Sequence, residues 1–374
     1  MFSEGPVFLR RAIRFSALFY YYVRIVNWKE CKKSKLGVAF DLLYIFFKLK
    51  YYPDNYSACR LWEKDRDEWV YYYGSTYNSY PRKNLRREVQ TYQHQIIFND
   101  KSVTEILCRG INLPIPDSFG VILPRDDLHS FFKKIFTETS LKKLIVKPVL
   151  GHAGQGIVMA ESTPDGIFVN DGSVRVRADS YRLKEKSIVQ RVVTQSKEIS
   201  KFSSSSLNTI RIVTLLTKSN EVMLLSASMR FGVGGAFIDN WSAGGIAVGI
   251  DHHCGRLMSV AFDKNGNQFH QHPVSGIRFE GFKIPLWDEV VDISIRVQQA
   301  CSFYKLVGVD IALSDDGPIL IEVNANPDIV FQEQTAGPFL KDQKILQEFS
   351  NYGLLINKYQ KSLLNQYSSV RNNK

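Results

Sequence analysis

Two carboxylates and an amide stand at a spacing that suits a divalent metal ion. They are Asp310, Glu322 and Asn324, within V-G-V-D-I-A-L-S-D-D-G-P-I-L-I-E-V-N-A-N-P-D over residues 307–328. The stretch reads as two apolar strands joined by a tight turn, Ser314-Asp315-Asp316-Gly317, with Pro318 opening the return strand. With the loop centred on Asp316, Asp310 lies opposite Glu322, and residues two apart on one strand share a face. The three polar side chains then project together from an otherwise apolar hairpin. Burying charge without a partner is costly. A hard, oxygen-seeking cation such as Mg²⁺, with Mn²⁺ as the alternative ion, supplies the countercharge while bridging substrate phosphates. A hairpin with a solvated polar face is the competing reading of this stretch alone.

Three further groups bear on the same chemistry. In L-I-V-K-P-V-L-G-H-A-G-Q-G, residues 144–156, a short β run delivers Lys147, then Pro148, then a loop with Gly151, Gly154 and Gly156. Glycines let backbone N–H groups approach phosphate oxygens, and a lysine on the adjoining strand adds a point charge for the same anion. The pattern is neither a Walker A loop nor a dinucleotide-binding turn, and a plain turn competes with it. His152, alone in that loop, carries little weight. Lys101 follows Asp100, the expected N-cap of a short helix that ends near Gly110, with Pro114 and Pro116 beyond. Leu207–Thr217 and Val222–Phe231 read as paired strands. A Ser219-Asn220 turn sets Arg211 against Ser228 and Thr209 against Arg230, so both arginines project from one face. Two cations on one sheet face repel without an anion between them. A transferring phosphoryl group or an acyl phosphate suits that place, and so do salt bridges to acids elsewhere in the chain.

The order of these residues resembles the ATP-grasp superfamily: an aspartate, a glutamate a dozen residues on, an asparagine two further, all on a late hairpin. The runs S-L-N-T-I-R-I-V-T at 206–214 and E-V-N-A-N-P-D at 322–328 resemble its sugar-transfer-associated and glutamate-ligase-like members. The likeness covers roughly residues 95–345. It implies an α/β (α+β) ATP-grasp fold in which two subdomains sandwich ATP. By the resemblance, Asp310, Glu322 and Asn324 hold Mg²⁺, Lys147 and Lys101 reach the phosphates, and the loop of Gly151, Gly154 and Gly156 closes over them. Gln190, in the apolar run S-I-V-Q-R-V-V, stands where the family usually has an acid at the adenine edge, and Glu198 stands near the ribose. Arg211, Arg230 and Asn240 take the catalytic places. Asn240 shares the glycine-rich run 232–251 with Ser242, Gly244 and Gly245. One departure stands out: D-alanine-type ligases carry an arginine two residues before the metal aspartate, and here that residue is Gly308. Neutralising charge must then come from Arg211 or Arg230.

The implied activity is ADP-forming carboxylate–amine ligation through an acyl phosphate. The family context points to small-molecule substrates, an amino acid or amine joined to a sugar acid of a capsule or O-antigen precursor. A sugar or small-molecule kinase of the same fold, and a membrane-associated ATP-binding scaffold without catalysis, are the alternatives.

The elements that must position these residues divide the chain. A helical, basic and aromatic region covers 1–95, a first ATP-grasp part with the glycine lid 96–190, a second part with the metal site 191–345, and a helix with a polar tail 346–374. A helix from Asp288 to Tyr304 is expected to pack behind the metal hairpin. His252-His253-Cys254 is discounted as a metal site, on the expectation that strand neighbours face opposite ways. The 374 residues, with 44% hydrophobic and 23% charged content, are globular in composition. Five scattered cysteines without a C-x-x-C pair argue for a reducing cytoplasm and against a disulfide or zinc framework.

Net charge is +11, and residues 1–50 hold ten Lys/Arg against three acids, which leaves only +4 for the remainder. A basic body that binds nucleic acid spreads its charge along a groove, so no nucleic acid is expected. From Phe8 to Val26, Arg10, Arg14 and Arg24 fall within an arc of about 80° on a helix whose other sides are mainly aromatic and aliphatic. Neither this run nor Leu36 to Phe47 reaches the ~20 apolar residues of a membrane span. No cleavable signal peptide is evident. Residues 8–50 suit peripheral contact with the anionic inner face of a membrane, and packing on the protein itself is the competing reading. The aromatics of 51–80 suit a binding surface or a helical subdomain alike.

Overall fold

A computed structural model describes residues 7–74, 85–151, 154–234 and 244–372. It is a mixed α+β structure built on two antiparallel sheets, with helices before, between and after them. The first sheet has the order β1-β6-β2-β3-β4-β5. Its strands are β1 (Ser118–Ile122), β2 (Lys143–Pro148), β3 (Val158–Thr163), β4 (Gly166–Asn170), β5 (Arg175–Arg177) and β6 (Ser187–Arg191). The helix Leu128–Glu138 covers one face, where Leu128, Phe132 and Ile135 meet Ile122, Leu144, Val146 and Val189. Asp127 starts that helix by accepting from the backbone N–H groups of His129 and Ser130.

The second sheet has the order β11-β10-β9-β8-β7-β12-β13. Its strands are β7 (Thr209–Leu216), β8 (Val222–Phe231), β9 (Ile246–Asp251), β10 (Arg256–Phe262), β11 (Gln268–Phe269), β12 (Leu306–Ser314) and β13 (Gly317–Asn324). On β7, Ile210 and Ile212 join the core under the helix Trp287–Ala300. That helix stops four residues before the expected Tyr304, which is buried just beyond it. Val213 and Leu215 belong to a different core, shared with the N-terminal region and the C-terminal helices. Strand alternation sends Arg211 to the same side as Val213 and Leu215. The site therefore occupies the part of that face which the N-terminal region leaves open.

The N-terminal region packs on the protein. Its first helix, Val7–Tyr20, continues as a wider π-type turn to Ile25; its second, Lys35–Tyr44, continues likewise to Leu49. Ser34 caps the second by accepting from the Gly37 N–H at 3.1 Å. Buried Asp41 anchors the region: Lys33 lies 2.5 Å and Arg66 2.7 Å from it, and the Tyr56 hydroxyl donates at 2.8 Å. Tyr51, Trp69, Tyr72 and Tyr73 fill the core against Phe349 and Leu346. The aromatics of the 51–74 stretch are thus mostly interior packing. Buried Glu333 ties the region to the second sheet by accepting from the backbone of Tyr73, Gly74 and Phe339. Among the described residues, no helix is long and apolar enough to cross a membrane.

Candidate functional site

A row of polar residues crosses four neighbouring strands of the second sheet. Ser228 on β8 pairs with Arg211 on β7, Arg211 with Asp310 on β12, and Asp310 with Glu322 on β13; Asn324 stands two residues further, opposite Gly308. Both expected cross-strand pairings are present, although each turn lies half a residue earlier than expected. In β12–β13, Ser314 pairs with Gly317, and a bulge between Asp310 and Ile311 brings Asp310 level with Glu322. In β7–β8, a bulge between Val213 and Thr214 does the same for the arginine pairs. A bulge sets two residues against one, so it offsets a shifted turn.

Asp310 is 2% exposed and sits among charges. Arg211 grips it with two donors, Nη2 to Oδ2 at 2.7 Å and Nε to Oδ1. Arg230 reaches Oδ2 at 3.1 Å and also donates to the Thr209 hydroxyl. The Asn324 amide donates to Oδ2 at 3.5 Å. Burial pushes the Asp310 carboxyl up, and the two guanidiniums with Asn324 overcome this and hold it below its ordinary value. The anion between the arginines is therefore Asp310 itself, where an external phosphoryl or acyl phosphate group was the other expectation. Gly308 explains why the neutralising charge comes from the adjoining strand. A Cβ there would lie 2.8 Å from Pro327 Cβ and 3.5 Å from the Arg211 stem, so the position has no room for an arginine.

From the other sheet comes Lys147, buried on β2 opposite Ile188. Burial pushes its ammonium down to about 8; Glu322 pulls it back up and Lys101 pushes it further down. Lys101 opens the helix Lys101–Gly110, which Asp100 caps. Its Nζ lies 3.3 Å from Glu322 and donates to the Gly151 carbonyl at 2.6 Å, so it links the metal hairpin to the glycine loop. That loop folds back on Pro148: Gly156 has φ +71°, and a Cβ would lie 2.8 Å from the proline ring. Gly154 also has a positive φ, 73°.

Lys101, Lys147, Gln190 and Glu322 line one pocket between the sheets, with about 440 Å³ of atom-free space counting its mouth. Phe98, Ile115, Leu320 and Val323 supply apolar walls. A few convergent polar groups in an apolar cleft is the usual make-up of a small-molecule site. The donor set fits a hard divalent ion. Glu322 is partly open, and Asp310, though gripped, keeps lone pairs beyond those its arginines use. Among the described residues, no cluster of three or more His, Cys, Asp or Glu stands in for this set.

The sequence profile of sugar-transfer associated ATP-grasp proteins matches residues 80–349. The chain belongs to that family. Among solved structures, it is similar to the VanG D-Ala:D-Ser ligase from Enterococcus faecalis, at 14% identity over 69% of this chain and 62% of that one, TM-score 0.42. It is also similar to the ATP-grasp ligase PsnB, solved with minimal precursor, Mg and ADP, at 14% identity over 70% and 62%, TM-score 0.37. A third is the N5-carboxyaminoimidazole ribonucleotide synthetase from Thermotoga maritima, at 10% identity over 64% and 45%, TM-score 0.34. The chain thus spans less than two thirds of each of these proteins. No curated protein sequence matches it.

Among the other expected positions of this ATP-grasp protein, Glu198 falls outside the cleft pocket. Glu198 lies on the short helix Lys197–Ser200, more than half exposed and paired with Lys201 at 2.8 Å. Asn240 and Ser242 lie outside the described residues, as does His152. His252 and His253 stand in the turn between β9 and β10 with ring centroids 4.2 Å apart, so the strand alternation used to discount them does not apply. Glu105 was missed. It lines the pocket one helical turn after Lys101, and its carboxylate accepts from Gln190 at 3.4 Å and from Arg109 at 2.8 Å. Helical i, i+4 spacing from Lys101 was the available signal.

Proposed function

We propose that this ATP-grasp protein is an ADP-forming carboxylate–amine ligase. The observation that carries the reading is the shared pocket of Lys101, Lys147, Gln190 and Glu322, drawn from both sheets and bordered by the Asp310 row. Asp310, Glu322 and Asn324 would hold Mg²⁺, which supplies charge neutralisation for the phosphates when bound. Lys147 and Lys101 hold triphosphate oxygens, and the loop of Gly151, Gly154 and Gly156 lies over them. Gln190, backed by Glu105, meets the base at the pocket's apolar wall.

In this reading a substrate carboxylate oxygen attacks the γ-phosphorus, and ADP leaves. An amine then attacks the acyl carbon, a C–N bond forms, and inorganic phosphate departs with the former carboxylate oxygen. Arg211 and Arg230 steady the charge that develops, a task of positioning and electrostatics that needs no protein nucleophile. Closure of the glycine loop keeps water from the labile intermediate. ATP and Mg²⁺ supply place the reaction in the cytoplasm. The family's association with sugar transfer supports a sugar-linked acid or amine in surface polysaccharide assembly.

A matrix of carboxylates against amines, scored for ADP and product mass, tests this. ADP release that needs both partners, with a product lighter by one water than their sum, is expected. A phosphorylated product from a hydroxyl acceptor would make the protein a kinase. No turnover of ATP across the matrix would leave a binding scaffold.

A further inference from the structure

We propose that the outer face of residues 8–47 seats in the interface of an anionic lipid bilayer, lying in its plane. Twelve of the twenty-one exposed large apolar side chains among the described residues fall between Phe8 and Phe47. They are ordered. On the first helix, Phe8, Phe15 and Phe19 stand at i, i+7 and i+11; on the second, Leu36, Phe40, Leu43 and Phe47 stand at i, i+4, i+7 and i+11. Such spacing makes one stripe along each helix. The stripes meet where the Phe15 ring lies 5.7 Å from Phe47 and 5.9 Å from Phe46.

The region's own fold does not use this face. Leu18, Val38, Leu42, Ile45 and Leu49 already fill the core beneath, and the Asp41 network fixes the base. A helix with one apolar stripe in the core and another exposed asks for a second apolar environment. Charge selects which one. Arg24, Lys35, Lys48 and Lys50 are exposed at the ends of the two helical segments, and residues 1–50 carry a balance of +7. A second copy of the chain would oppose like charges across the contact. A bilayer with anionic headgroups offers acyl chains to the stripes and counter-ions to the basic rim, and long basic side chains reach such headgroups. No described helix is long and apolar enough to cross, which leaves in-plane seating.

The test is flotation of the full chain with vesicles of phosphatidylcholine containing phosphatidylglycerol, against phosphatidylcholine alone. Two double variants accompany it, Phe19→Glu with Phe40→Glu, and Lys35→Glu with Lys48→Glu; light scattering follows mass, and thermal unfolding checks the fold. The wild type is expected to prefer anionic vesicles by at least about tenfold, less so at high salt, and each double variant to lose about tenfold with unchanged unfolding. Equal partitioning onto both vesicle types, or variants that float like the wild type, would overturn the proposal. So would a dimer that Phe19→Glu with Phe40→Glu disperses while vesicle binding is absent, since a second copy would then cover the face.

Discussion

The cleft and the N-terminal helices break the usual distribution of side chains in opposite directions. In the cleft, charge is buried: Asp310 is 2% exposed, Lys147 8%, and both arginines are largely enclosed. On the helices, aromatic surface is exposed: Phe8 at 84% and Phe19 at 75%. Each departure marks a place where the chain lacks a partner that another molecule can supply. In the cleft the chain balances its own charges imperfectly, with two cations on Asp310 and one on Glu322, and a depressed Lys147 near Glu322 and Lys101. On the helices nothing among the described residues covers the stripes. A buried charge must be matched by position, whereas an apolar stripe needs only area.

Substitutions that remove one side of each imbalance test this contrast. The largest effect is expected from Glu322→Ala. Loss of a metal-holding carboxylate should lower kcat by about a thousandfold while leaving folding intact, measured in the ligation assay. Wild-type rates in an active reaction would break the assignment. Asp310→Ala should act on stability as well, because it leaves two largely enclosed guanidiniums without this carboxylate. Urea unfolding should show a loss of about 3–5 kcal/mol.

On the second N-terminal helix, Lys35–Tyr44, two residues separate interior from exterior. Leu42→Ala, at a position 3% exposed, should cost about 2–5 kcal/mol, and Phe40→Glu, at a position 64% exposed, should stay within about 0.5 kcal/mol. Equal losses from the two would mean that the Phe40 stripe is packed in solution.

The smallest effect is a pH dependence. The Lys147 ammonium, held near 8 in the nucleotide-free protein, is charged below that pH and neutral above it. Phosphate binding favours the charged form, so nucleotide affinity should fall as pH rises through 8, by up to about tenfold per unit. Lys147→Arg should flatten the profile. For stability without nucleotide the sign is opposite. The unfolded lysine titrates near about 10.4 and binds a proton that the folded one releases, so this group's contribution rises between about 8 and 10.4.

Much of the cleft was legible because period-two alternation fixes which residues share a strand face. Counting alone set Asp310 with Glu322 on one hairpin and Arg211 with Arg230 on the other. The bulges were not legible: one extra residue in an apolar strand leaves no mark in composition, and the pairings held because each bulge offset a shifted turn. Nor did alternation tell what would neutralise the arginines, since the contact with Asp310 joins residues 211 and 310 through a strand pairing far apart in the chain. Glu198 was placed near the ribose by likeness, while its side chain is held by Lys201. The helices at 7–20 and 35–44 were expected, with packing on the protein as one of two readings, but the inward-facing stripe was not. Both are apolar on several sides, and sequence does not say which stripe goes inward. The core contacts of Leu42 and Leu49, not periodicity, decide it.

The central claim is that the hairpin carboxylates and the buried lysine together take up a metal-bound nucleotide. Calorimetric titration of ATP, with and without Mg²⁺, into the wild type and Glu322→Gln tests it most directly. Binding should require the metal and weaken at least about tenfold in the variant. The same affinity in all four titrations would contradict it.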